Sequence, residues 1–249
     1  AEDMKNARAN GIAQVMLDRL LLTEDRIVGM AKGITDIVKL PDPIGVTLSE
    51  IKRPNGMTVK RITVPLGVIA VIYEARPNVT SDAAALCLKS GNAVILRGGK
   101  EAINSSKAIV EALRLGLEKT GLDENCISLV TDTSRDSATE LMRMNEYIDV
   151  LIPRGGAGLI RSCIENSTVP VIETGTGNCH IYIDKDADIQ MAADIVYNAK
   201  TSRPSVCNSA ESLVIHKDII KEALPIIKKR LDEKNVELRG DDTARASAD

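Results

Sequence analysis

The chain has 249 residues, 44% hydrophobic and 27% charged, with 35 acidic against 32 basic side chains and a formal net charge of −3. That length and apolar content suffice for one large or two ordinary domains with a real core. With no Phe and no Trp the core must be aliphatic, which argues against a platform for stacking bases; the slightly acidic balance argues against a nucleic-acid backbone as partner.

Helical periodicity opens the chain over residues 4–40, with Ile12, Val15, Met16 and Leu20 on one face and a second helix starting near Thr23. Pro41 and Pro43 end it. The stretch SEIKRPNGMTVKRITV then alternates around Pro54-Asn55-Gly56, a strong hairpin signal. A two-stranded arm over about 47–64 buries little alone and is expected to lean on another sheet or subunit.

From Pro65 the pattern changes. Apolar runs at 66–73, 92–97, 126–130, 147–153 and 169–174 alternate with helical stretches at about 80–90, 98–121, 134–144 and after Gly156. Such alternation implies a doubly wound parallel sheet of the α/β class, whose ligands lie at the carboxyl ends of the strands. After Gly175 a second α/β unit follows: a strand at HIYID, a helix over 187–200, a loop, a strand at SLVIH and a helix over 218–234. The tail RGDDTARASAD has no usable pattern. The domain division expected is 1–172 for a cofactor-binding domain and 173–249 for a catalytic one. No apolar run reaches membrane-spanning length and the first residues are polar, so a cytoplasmic protein without signal peptide or membrane partner is expected.

The strand-end loops hold the candidate chemistry. YEARPN places Asn78 where its amide could donate to a developing oxyanion or cap the following helix. Arg97-Gly98-Gly99-Lys100 and Arg154-Gly155-Gly156-Ala157-Gly158 are turns that could receive phosphate on backbone N–H groups, or ordinary tight turns. Gly175-Thr176-Gly177 lacks the third glycine of a dinucleotide fingerprint. Glu173, ending an apolar run, is a general base or a structural cap. The five cysteines, without CxxC or metal-ligand spacing, read as reduced thiols and leave no metal site. One of them, Cys207 in TSRPSVCN, lies in a loop between a helix and a strand, where a scaffold presents a nucleophile; nearby Arg203 would favour its thiolate. His180 and His216 show no pairing by spacing and read as structural.

Four stretches, 64–105, 148–161, 169–184 and 198–216, together resemble the aldehyde dehydrogenase superfamily, and within it the branch that reduces gamma-glutamyl phosphate in proline biosynthesis. The resemblance runs from residue 5 to about 238. The Glu173 to Cys207 separation, 207 − 173 = 34, is similar to that between base and nucleophile in the superfamily. The resemblance implies that Cys207 is the nucleophile, with Asn78 and the Cys207 N–H as oxyanion hole. It implies NADP contacts from Arg97, Gly98, Gly99, Arg154, Gly155 and Gly156, and substrate contacts from Arg203 and Arg76. The implied reaction is thiolate attack on gamma-glutamyl phosphate, loss of phosphate, and hydride transfer from NADPH to give glutamate 5-semialdehyde. Glu173 has no evident task in that reaction; as a water-activating base it would make the chain a hydrolytic aldehyde dehydrogenase instead. Superfamily members extend beyond this C-terminus, so an incomplete catalytic domain is expected, with a non-catalytic fragment as the alternative and a homo-oligomer formed by the full-length protein.

Overall fold

The computed structural model describes residues 1–247 apart from Ala13, Thr176 and Ser205, with Val15 described by its backbone only. Thr176 of the Gly-Thr-Gly stretch, Ser205 of the cysteine loop, the Val15 side chain and the last two residues of the tail therefore lie outside the described residues. Two compact units divide the chain, Ala1–Gly175 and Thr176–Asp249.

The first unit opens with α1 (Glu2–Ala9), α2 (Gln14–Leu20) and α3 (Glu24–Val38). The first two were read as one helix; Gly11, at φ +67°, takes the left-handed conformation that ends the first turn sequence. Thr23 caps α3, its hydroxyl accepting from Arg26 N–H at 3.2 Å. The arm follows as β1 (Thr47–Lys52) and β2 (Thr58–Ile62), antiparallel, with Glu50 opposite Lys60 and their side chains 3.0 Å apart. Gly56 takes φ +85° in the connecting turn, the conformation that Asn-Gly hairpins demand. Every residue of both strands is exposed, so no sheet covers the arm among the described residues.

A four-stranded parallel sheet is the frame of this unit. Its strands are β3 (Val68–Tyr73), β4 (Ala93–Arg97), β5 (Ile127–Leu129) and β6 (Val150–Arg154), in the order β5-β4-β3-β6. The helices between them are α4 (Pro77–Lys89), α5 (Ile103–Thr120) and α6 (Arg135–Leu141), and α7 (Ala157–Asn166) follows β6. Alternation along β3 seats helices on both faces. Ile69, Val71 and Tyr73 pack with Ala84 and Cys87 of α4 and Val110 and Leu117 of α5. Ala70 and Ile72 pack with Ala138 and Leu141 of α6 and Cys163 of α7. The chain winds outward from β3 to β5 and then returns to place β6 on the other side of β3, so a crevice opens at the carboxyl ends where the direction reverses.

The stretch expected as a strand over 169–174 makes one parallel bridge, Val171 to Leu151, flanked by Leu151 N–H to Pro170 O (2.8 Å) and Ile172 N–H to Leu151 O (2.9 Å). Pro170 has no N–H to extend the ladder, and from Ile172 to Gly175 the chain is exposed.

In the second unit β7 (His180–Ile183) pairs in parallel with β8 (Ser212–Ile215), joined by α8 (Ile189–Thr201) and followed by α9 (Ile220–Asp232). Ile183, Ala193, Val196, Ala223, Ile227 and Leu231 form its core. A short α10 (Asp242–Ala246) occupies the tail that showed no pattern; Asp241 caps it, accepting from Ala244 N–H at 2.8 Å.

Candidate active site

A cleft of about 1000 Å³ lies at the carboxyl ends of the first unit's sheet. Its lining includes apolar side chains from the N-terminal segment, Ile12, Met16 and Leu20, three cations, Arg97, Lys100 and Arg135, and two acids, Glu74 and Glu101. Arg97 ends β4. Its Nη2 donates to the carbonyls of Thr133 (2.8 Å) and Ser134 (2.6 Å), while its buried Nε has no hydrogen-bond partner. The Thr133–Ser134 loop is itself held: Asp132 accepts from Ser134 N–H at 2.8 Å, and the Ser134 hydroxyl caps α6 by accepting from Ser137 N–H at 3.1 Å. The Ser134 backbone N–H, then its side chain, and more weakly the Arg97 charge, hold the exposed Asp132 carboxyl below its ordinary range. Neither Lys100 nor Arg135 has an ion-pair or hydrogen-bond partner for its side chain among the described residues.

Gly98 and Gly99 follow Arg97 under the cleft floor. A Cβ on Gly98 would stand 3.1 Å from the Tyr73 ring, and one on Gly99 would stand 3.2 Å from Ala75 N, so the backbone approaches closely where no side chain fits. Tyr73 is buried, its hydroxyl 2.8 Å from Thr80 Oγ1, which in turn lies 3.2 Å from Ser106 Oγ. Burial pushes the Tyr73 hydroxyl up, against the opposing pull of those hydrogen bonds.

Arg154 ends β6 exposed, and the exposed Gly155 and Gly156 lead into α7. Here a residue not anticipated as part of the site intervenes. Glu74, just past β3, accepts from Gly156 N–H at 2.9 Å, so the helix-start donor read as a phosphate receiver holds the chain's own carboxylate.

Asn78 does not cap α4. The cap position is Arg76, half-buried, with Pro77 as the first helical residue; the Asn78 amide is exposed and donates to Asp82 at 3.1 Å. Glu173 lies exposed in the stretch that leaves the first unit.

The second unit holds Cys207 on an exposed turn between α8 and β8. Both ends of that loop are tied down. Ala210 N–H donates to Ala199 O (3.0 Å), Lys200 Nζ to Ala210 O (2.9 Å), and Glu211 and Ser212 N–H to Cys179 O (3.0 and 3.1 Å). Arg203 is exposed in the same loop, its carbonyl accepting from Val206 N–H at 3.3 Å. His216 accepts from Asp218 N–H at 3.3 Å, a local structural bond at the approach to α9.

The structure thus places Arg97 and Gly99 on the cleft, with Gly98 buried between them in sequence and Gly156 tied to the cleft residue Glu74; Cys207 and Arg203 share a loop of the other unit. Glu74, just past β3, and Arg135, at the start of α6, were not anticipated as site residues, whereas Lys100 lies in the Arg97-Gly98-Gly99-Lys100 turn singled out from the sequence. The apolar face of Ile12, Met16 and Leu20 was legible as helical periodicity, but its place on this cleft was not.

The sequence profile of the aldehyde dehydrogenase family matches residues 29–246. Gamma-glutamyl phosphate reductase of Clostridium beijerinckii is 60% identical over 244 residues, 98% of this chain and 59% of that protein. The protein of the same name from Caldicellulosiruptor saccharolyticus is 57% identical over 239 residues, 96% of this chain and 57% of that protein. The crystal structure of gamma-glutamyl phosphate reductase from Thermotoga maritima superposes with a TM-score of 0.86 at 44% identity, covering 98% of this chain and 59% of that one. The chain therefore spans about three fifths of the length of the relatives it matches. With the profile covering most of its residues and the parallel-sheet unit in place, the chain belongs to the aldehyde dehydrogenase family.

Proposed function

We propose that this chain carries the cofactor cleft and the nucleophile of an enzyme that reduces gamma-glutamyl phosphate to glutamate 5-semialdehyde, releasing phosphate, in proline biosynthesis. The observation that carries this reading is the 60% identity, over 98% of the chain, to a relative of that name. The first unit is the NADP-binding domain and the second the start of the catalytic domain.

The cleft fits a 2′-phosphorylated dinucleotide. Arg97, Lys100 and Arg135 line a space of about 1000 Å³ together with apolar side chains, and the orphaned Nε of Arg97 is a buried donor in search of an acceptor. These three cations would hold the 2′-phosphate. When bound, NADPH supplies the hydride. The chain's own groups do the rest. Cys207, displayed on a loop tied at both ends, attacks the acyl phosphate carbon; the bond to phosphate breaks and a thioester remains on Cys207. Asn78 is the amide proposed to steady the developing oxyanion, for which it would leave Asp82. Arg203 and Arg76 are proposed to hold the substrate's phosphate and carboxylate. Glu173 is given no role in this reaction. The exposed apolar side chains of the arm, Leu48, Ile51, Val59 and Ile62, are what another copy of the full-length protein would cover.

The test follows NADP reduction by glutamate 5-semialdehyde in the presence and absence of phosphate, together with NADPH titration. Phosphate-dependent turnover lost in Cys207→Ala is expected, as is NADPH binding weakened about tenfold in Arg97→Ala, the effect of removing one charge-assisted contact. Turnover without phosphate would transfer the chemistry to water activated by Glu173 and overturn the reading. NADPH binding unchanged in Arg97→Ala would remove the cleft from it.

A further inference from the structure

The second unit holds two cysteines, and the sulfur of one touches the backbone of the other. Cys179, at the entrance to β7, donates its Sγ–H to the backbone carbonyl of Cys207 at 3.4 Å. The other three cysteines lie in the first unit, Cys87 and Cys163 buried in its core and Cys126 half-buried. Cys207 is exposed and Cys179 half-buried, so one residue meets solvent while the sulfur of the other lies against its backbone.

We infer that Cys179 is the resolving thiol of a reversible oxidation site, forming a disulfide with Cys207 when a hydroperoxide attacks that residue. An exposed thiolate is the form of cysteine that hydroperoxides oxidise. The Cys207 thiolate attacks one peroxide oxygen and the O–O bond breaks; two electrons pass from sulfur to peroxide, leaving Cys207 sulfenic acid and hydroxide. The Cys179 thiolate then attacks the sulfenic sulfur, the S–O bond breaks, and hydroxide leaves to take up a proton. With hydrogen peroxide the sum is two thiols and one peroxide giving one disulfide and two waters. A dithiol reductant reverses it by exchange.

The geometry favours Cys179 for this step. Its sulfur is already in contact with the Cys207 residue, and bond lengths then limit the two α-carbons to at most about 9 Å. A disulfide requires roughly 4.4–6.8 Å, so any remaining closure falls on the loop, where Ser202, Arg203, Pro204, Cys207 and Asn208 are all exposed. Cys179 itself stays put, because its carbonyl accepts from both Glu211 and Ser212 N–H groups at the start of β8. The consequence is protection: a sulfenic acid trapped as a disulfide cannot proceed to the sulfinic acid, which is irreversible without a dedicated enzyme. That meaning rests on the reading of Cys207 as nucleophile; the bond itself does not.

The experiment treats the 249-residue chain with hydrogen peroxide and maps peptides by mass spectrometry, before and after dithiothreitol. A Cys179–Cys207 disulfide with two of the five thiols lost and both regained on reduction is expected. In Cys179→Ser, which keeps a donor toward the Cys207 carbonyl, the fraction of Cys207 recovered by dithiothreitol should fall several-fold as sulfinic acid accumulates; Cys126→Ser should behave as the parent. Equal sulfinic acid at Cys207 in parent and Cys179→Ser, or a Cys207 disulfide to another cysteine, overturns the inference. The parent's peptide map decides the matter even if Cys179→Ser does not fold. Because mapping needs no turnover, a chain that forms this disulfide yet shows no phosphate-dependent activity keeps the inference and loses the proposed reaction, and the reverse result separates them in the other direction.

Discussion

Asp3 is only 4% exposed, yet it carries a carboxylate, and its surroundings explain the burial. It accepts from the N–H and Nδ2 of Asn104 (3.2 and 2.8 Å) and from the N–H and hydroxyl of Ser105 (2.7 and 2.6 Å). These residues form the first turn of α5, whose own cap position, Ala102, offers no side-chain acceptor. One acid from α1 therefore supplies the missing cap and complements the helix dipole across about 100 residues of chain. Asp3→Ala should destabilise the first unit by about 2–3 kcal/mol, the cost of a charged hydrogen-bond acceptor removed from orphan donors, read as a lowered urea midpoint with unchanged slope. An unchanged midpoint would show that water replaces the cap. Nothing in the sequence announces this pairing: an acidic residue in an opening helix looks like a first-turn charge, and its partner lies too far away to be inferred.

At the scale of elements, the start of β3 is clamped by both neighbours. Asn92, 5% exposed and next to β4, accepts from Leu66 and Gly67 N–H at 2.6 and 2.8 Å. Asp149, preceding β6, accepts from Val68 N–H at 2.8 Å. Gly67 sits between these clamps at φ +118°, and a Cβ there would collide with the Asp149 carboxylate. Gly67→Ala should cost about 2–4 kcal/mol, combining a disfavoured backbone with a displaced carboxylate, and Asn92→Ala about 2 kcal/mol from two uncapped donors. Chemical denaturation of each variant measures this, and a Gly67→Ala change below about 0.5 kcal/mol would refute the steric argument. Local signals read most elements well: the Asn-Gly turn, the four buried strand runs from β3 to β6 and the helix start near Thr23 stand where the pattern put them, whereas the run at 169–174 makes a single bridge. The start of α4 was read three residues late. Asn78 drew attention as a possible cap, whereas Pro77 in the first turn is what marks the beginning.

For the molecule as a whole, the titrating groups of the first unit's core act in one direction. Burial pushes the Cys87 thiol from 9.0 up to about 11, and it also raises Tyr73 on the same face of the sheet and Cys163 on the opposite one. A group whose folded value is raised keeps its proton in the folded chain while the unfolded chain ionises. Its contribution is therefore complete below the unfolded value and is lost as pH rises through the folded one. Stability of the first unit should be level below about pH 8 and fall between about pH 9 and 11, by roughly 1.4 kcal/mol per pH unit for each ionising group. Urea midpoints across that range test this, with Cys87→Ala flattening part of the slope; a level profile in the parent would refute it.

The alternation of apolar runs with amphipathic helices was enough to determine a doubly wound parallel sheet followed by a smaller α/β unit, because burying both faces of a sheet leaves a periodic mark on each strand by itself. The strand-end loops and the exposed cysteine were legible for the same reason: their positions follow from local pattern. Contacts between distant segments were decided only in three dimensions. The apolar lining of the cleft, Asp3 on α5, Glu74 on the start of α7 and Cys179 against Cys207 each join residues whose neighbours in sequence say nothing of one another. Hydrophobic periodicity specifies which face of an element is buried, but the partner that covers it, and the polar group that satisfies its ends, depend on where the whole chain returns.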